Sequence, residues 1–117
     1  MGNDVSKGIM TQPEKVRHII SKGCEYFGIT PEELATVIQN KSGRPPDSQY
    51  TPKKFIAYIL LNNTALTNTR IMKEVGWANH SLVNHHCNRL KDELSDGVFG
   101  YEKTKMIYNE LITYLNL

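Results

Sequence analysis

The stretch from Asn68 to Leu90, NTRIMKEVGWANHSLVNHHCNRL, decides how this chain is read. Ile71 and Val75 stand four residues apart, as on one face of a helix, and Gly76 then breaks the pattern. Two helices that cross steeply need a turn of about three to four residues without a bulky branched side chain, and apolar residues at the crossing. Gly76 supplies the turn, Ile71 and Val75 pack from the first helix, Trp77 from the turn and Leu82 from the second helix. Asn79 caps that second helix. The segment therefore has the pattern of a helix-turn-helix. Its second helix presents Asn79, His80, Ser81 and Asn84 at its N-terminal end, short polar side chains able to donate and accept hydrogen bonds toward base edges in a major groove.

The charge around this segment agrees with it. The net charge of the 117 residues is only +2. Residues 41–91, however, carry 8 basic and 2 acidic side chains, against 4 and 5 in residues 1–40 and 2 and 5 in residues 92–117. A positive block between mildly acidic flanks suits a polyanion at the middle of the protein. Lys53, Lys54, Arg70, Lys73, Arg89 and Lys91 surround the motif, and Lys41 and Arg44 lie in a polar loop before it. Lys41, Arg44, Thr51, Lys53, Lys54, Asn68, Thr69, Arg70 and Arg89 are assigned to the backbone or the groove edges, where contacts position a protein without choosing sequence.

Outward from the motif the remaining segments read as helices. Residues 1–12 have no apolar period and are expected to be a flexible leader, leaving one helical domain over 13–117. A first helix is expected from Pro13 to about Tyr26, ended by Gly28. Thr30-Pro31-Glu32-Glu33 is a capping box that opens a short second helix to about Ile38. Gln39–Tyr50, with Gly43, Pro45 and Pro46, reads as a loop. Thr51-Pro52 repeats the cap-then-proline signal for a third helix to about Asn63. Further helices are expected at about Asn68–Val75, Asn79–Leu94 and Tyr101–Leu115. The fold class is all-α, a six-helix bundle.

Several classes are excluded by the same reading. No apolar run is long enough to span a membrane and no secretory signal opens the chain, so the expected location is the cytoplasm. Cys24 and Cys87 belong to no CxxC pair, which argues against a disulfide framework or zinc ribbon. His80, His85, His86 and Cys87 point in different directions on a helix, so no metal site and no other cofactor is expected; His80 is read as a polar contact and His85 as a packing residue. No catalytic residue is expected either. The Glu32-Glu33 and Asp92-Glu93 pairs sit at helix ends, no nucleophile motif occurs, and no glycine-rich GK[ST] loop is present to bind a nucleotide.

From Val16 to Leu94 the chain resembles the C-terminal DNA-binding domain of the bacterial chromosomal replication initiator DnaA. The resemblance rests on Tyr26-Phe27-Gly28-Ile29-Thr30 followed by Pro31-Glu32-Glu33-Leu34, and on Pro52-Lys53-Lys54 opening a helix that continues Phe55-Ile56-Ala57-Tyr58-Ile59-Leu60. It rests also on Thr64 and Thr67 leading to Ile71 and Val75-Gly76, and most specifically on Asn79-His80-Ser81-Leu82-Val83 with His85, Cys87 and Arg89. The resemblance implies a Trp-repressor-like bundle that binds double-stranded DNA, one domain per site, in replication-origin or regulatory recognition. The chain departs from the family at Thr51, where the family places an arginine in the minor groove, at Ala78-Asn79 for Arg-Asp, and at Met72 for a glycine. The family's ATPase module has no counterpart. The rival reading is a protein-interaction module on the same bundle that has lost DNA binding.

Overall fold

The structure, a computed structural model, describes residues 11–37, 47–95, 97 and 99–117, the first four of the second segment by backbone only. Among these residues there are six helices and no strand. They are α1 (Gln12–Phe27), α2 (Pro31–Ala35), α3 (Asp47–Asn63), α4 (Asn68–Val75), α5 (Ser81–Glu93) and α6 (Glu102–Leu115). None is long and apolar enough to cross a membrane.

Two capping boxes set the first two helices. The Thr30 hydroxyl accepts from the Glu33 N–H at 3.0 Å, and the Glu33 carboxylate accepts from the Thr30 N–H at 2.9 Å, so two otherwise orphaned donors are satisfied reciprocally. Thr11 and Glu14 repeat the device at the start of α1. Gly28 ends α1 with φ 74°, a left-handed conformation that glycine adopts without strain. The second helix is shorter than expected. It stops at Ala35 because Thr36 turns to extended backbone, where its carbonyl, with that of Leu34, meets a side chain from α3.

The start of α3 also differs from the sequence reading. The helix begins at Asp47, so residues 47–50 are helical where a loop is expected, and Pro52 lies inside the helix rather than at its first turn. Proline costs an interior helix one hydrogen bond. Downstream of it Phe55, Ile56, Ala57, Ile59 and Leu60 are all buried, each large side chain contributing about 1.5–3 kcal/mol. The stretch from Phe55 to Leu61 is apolar on every side, as suits the centre of a bundle. α3 duly packs against α1, α2, α4 and α5.

α1 and α6 close one side. Ile19 and Cys24 of α1 and Leu111 and Leu115 of α6 are buried, and Gly23 lets α1 approach α3, since a Cβ there would stand 3.0 Å from the Ile56 side chain. His18 Nε2 lies 2.7 Å from the Leu115 carbonyl, and Tyr26 donates to Glu110 at 2.7 Å. Cys24 and Cys87 are buried free thiols. Burial pushes both up to about 11, which keeps them protonated members of the core.

Candidate nucleic-acid interface

α4 is held at both ends. The Thr67 hydroxyl accepts from the Arg70 N–H at its start. At its end Gly76 turns left-handed, with φ 69°, and the N–H groups of Gly76 and Trp77 both reach the Met72 carbonyl. A Cβ on Gly76 would sit 2.6 Å from the Leu34 carbonyl oxygen and from the carbonyl of Ala35. Backbone conformation and backbone contact thus both require glycine here, and the contact presses the end of α4 against the end of α2.

Beneath that contact lies Lys53, which corrects the sequence reading. It is 2% exposed, and its ammonium donates to the carbonyls of Leu34 at 2.5 Å, Thr36 at 2.9 Å, Val75 at 2.7 Å and Gly76 at 3.3 Å. These are the last carbonyls of α2 and α4, which no intrahelical N–H satisfies and toward which a cation is favoured. Burial pulls the Lys53 pKa down to about 8, still above neutrality, and carbonyls can only accept, so the ammonium form suits them. Lys53 is therefore a clamp between two helix ends and takes no part in phosphate contact. Lys54, its neighbour, is half-buried, with its ammonium 5.7 Å from the Phe55 ring centre.

The turn after Gly76 buries Trp77, 6% exposed, which stacks on His86 with ring centres 4.9 Å apart. His80 holds the N-cap position of α5 without a side-chain bond, and Asn79, one residue earlier, does the capping: its Oδ1 accepts from the Ser81 N–H at 2.9 Å and the Ser81 hydroxyl at 2.8 Å, while its backbone carbonyl receives the Leu82 N–H. Val83, Cys87 and Leu90 then face the core. Ser81, Asn84, His85, Asn88 and Arg89 are exposed. The packing role expected of His85 falls to its neighbour. His85 is the exposed one, and His86 is the packing residue, pushed down to about 4 by burial and by the positive charges of His85, Lys54 and Arg89.

All four residues assigned to base edges, Asn79, His80, Ser81 and Asn84, are exposed at the N-terminal end of α5 or one turn into it. Three of them have part of their hydrogen-bonding capacity engaged, Ser81 through its hydroxyl, which donates to Asn79 Oδ1. Asn79 Oδ1 belongs to the cap, and Asn84 Oδ1 accepts from Asn68 Nδ2 at 2.9 Å. Both keep amide N–H donors to offer. The Asn68–Asn84 bond also places the start of α4, with exposed Thr69 and Arg70, along one flank of α5. The opposite flank is a groove of about 500 Å3 that Thr51, Lys54, His85 and Arg89 line with residues of α6. Arg70 pairs with Glu74 at 3.0 Å and Arg89 with Glu93 at 3.4 Å. Both arginines are exposed while their carboxylate partners are partly buried, and i,i+4 pairs of this kind contribute only roughly a few tenths of a kcal/mol.

Lys41 and Arg44 lie outside the described residues. Asn88, missed by the sequence reading, shares the exposed face with Ser81 and Asn84, and spacings of four and seven residues along a helix could have found it. Among the described residues no three His, Cys, Asp or Glu side chains converge as metal ligands would. No protein-family model matches this chain, and no curated protein matches it.

Proposed function

We infer that this chain is a double-stranded-DNA-binding domain in which α4 and α5 act as a helix-turn-helix, with the bundle of the initiator's C-terminal domain. The observation that carries this reading is the exposure of four polar side chains, Asn79, His80, Ser81 and Asn84, at the N-terminal end of a helix whose other face, with Val83, Cys87 and Leu90, is locked into the core. The end of α5 that would enter a major groove offers amide, imidazole and hydroxyl groups to base edges. Exposed Arg70 and Lys73 on one side, and Lys54 and Arg89 on the other, stand where the phosphate backbones would run. Its biological setting would be recognition of a replication origin or a regulatory site, one domain per site. No nucleotide enters into this role.

The test is fluorescence anisotropy with a labelled duplex over a salt series. With about four phosphates neutralised, log K should fall with log salt at a slope of roughly −3.6. A slope near zero overturns the reading. One observation favours the rival, a protein-interaction module: Phe99 is 86% exposed and Met106 52%, beside Tyr101 at 38%, and exposed apolar groups of this kind suit a protein partner. Passage through a heparin column without retention would support that rival.

A further inference from the structure

The groove between α3, α5 and α6 gathers Lys54, Arg89 and Lys103 around a single carboxylate, Glu93, with His85 at its wall. Glu93 is engaged on both sides, by Arg89 at 3.4 Å and by the Thr104 hydroxyl at 3.4 Å. It thereby ties the first turn of α6 to α5 and brings Lys103, which adjoins Thr104 in the chain, to the wall shared with Arg89. Three cations against one carboxylate leave the groove positive. His86, which also lines it, holds its proton weakly, first because it is buried and then because His85, Lys54 and Arg89 stand near it. The groove is open and polar, so it suits a hydrated anionic partner rather than an apolar ligand.

The position of the groove says which anion. On α5, Asn84 faces the start of α4 through its bond to Asn68, whereas His85 and Arg89 face the groove. A helix set in the major groove has a sugar–phosphate strand along each flank, and α4 covers only one of them. We propose that the α3–α5–α6 groove seats the backbone of the second strand, with Lys103 of α6 as a phosphate contact. Lys103 lies in the acidic last third of the chain, so charge counted along the sequence hides it and only folding places it here. This assignment rests on the DNA-binding reading above and extends its footprint to a third helix.

Lys103 is exposed and outside the core, so Lys103→Ala should fold as the wild type does, which circular dichroism checks. Lys22→Ala on α1, outside the groove, removes the same charge elsewhere. Anisotropy over a salt series with two duplexes of unrelated sequence then separates the possibilities. Lys103→Ala should bind both duplexes about 5- to 10-fold more weakly near physiological salt, with a salt slope shallower by about 0.9, and Lys22→Ala should match the wild type. If the wild type binds with a steep slope and Lys103→Ala binds equally well, the groove assignment fails while the DNA-binding reading stands. An equal loss in Lys22→Ala, or a loss confined to one duplex, also overturns it, because neither is the signature of a local phosphate contact. Absence of salt-dependent binding by the wild type removes both readings together.

Discussion

Lys53 and Lys54 are neighbours in the chain and opposites in the fold. One side chain is sealed under the junction of α2 and α4 with four carbonyls around its ammonium; the other lines an open groove beside α5. Adjacent residues on a helix diverge by about 100°, and on a central helix that angle is the difference between joint and surface. The comparison extends to the two regions they belong to. Beneath the end of α4, glycine, cation and carbonyls meet at contact distance and leave no latitude. On the outer face of α5, the cap and the Asn68–Asn84 bond hold the polar groups in place while leaving N–H donors to offer. A rigid joint that aims a face with spare hydrogen-bonding capacity is what the proposed recognition of DNA would require.

The largest effect should come from breaking the joint. Lys53→Met keeps the length of the side chain and removes its donors, leaving carbonyls of Leu34, Thr36, Val75 and Gly76 buried without that partner. The expected loss is about 3–5 kcal/mol of unfolding free energy, in the range for stripping the partner from buried polar groups. Urea denaturation followed by circular dichroism measures it. A loss under about 1 kcal/mol would show that the ammonium does not hold the helix ends together. Next comes Gly76→Ala. The added Cβ meets the α2 backbone at 2.6 Å and forces a left-handed conformation on alanine, so the cost should be roughly 2–4 kcal/mol. Stability unchanged within error would mean that α2 moves aside and the joint is looser than its distances suggest.

The contrast between joint and face also explains what could be read from residues alone. Caps and glycine stops act over three or four residues, so Thr30 with Glu33, Gly28 and Gly76 announce themselves, and the span of α4 follows from them. The start of α3 does not, because Thr51-Pro52 carries a local start signal while the helix already begins at Asp47. Lys53 in the sequence is simply a cation in a basic block. Its role depends on carbonyls 17 to 23 positions away, and no local pattern encodes those. The shift of the packing role from His85 to His86 has the same origin: a rotation of one residue, decided by which of them meets Trp77.

His86 gives a smaller, pH-dependent effect at the edge of the joint. Its folded pKa of about 4 lies below its ordinary value of 6.5, so between these values the unfolded chain holds a proton that the folded chain does not. Stability is then full above about pH 6.5 and falls as pH drops toward 4. Because the ring is half-buried, the loss should be about 2 kcal/mol at most. Trp77 is the single tryptophan and stacks on His86, so its fluorescence reports the transition directly. His86→Phe should flatten the dependence in this window; if the slope persists unchanged, another group is responsible.

The smallest expected change lies on the face itself, at Asn79. Its Oδ1 accepts from the Ser81 N–H and hydroxyl, which leaves the amide N–H groups as its contribution to a base edge. A donor reads the acceptors of guanine or thymine, whereas the paired donor and acceptor needed for bidentate reading of adenine are not both at hand. Asn79→Asp keeps the capping oxygen, and aspartate is as good a cap as asparagine, so stability should hold within about 0.5 kcal/mol. What changes is the outward atom. An acceptor replaces a donor, and preference at one base pair should move toward the amino group of cytosine by roughly 1 kcal/mol, the low end for a single direct contact. Competition binding with duplexes that vary one position at a time, at constant salt, measures the shift. A stable variant whose base preferences match those of the wild type would mean that Asn79 serves α5 as a cap alone and has no part in the proposed reading of bases.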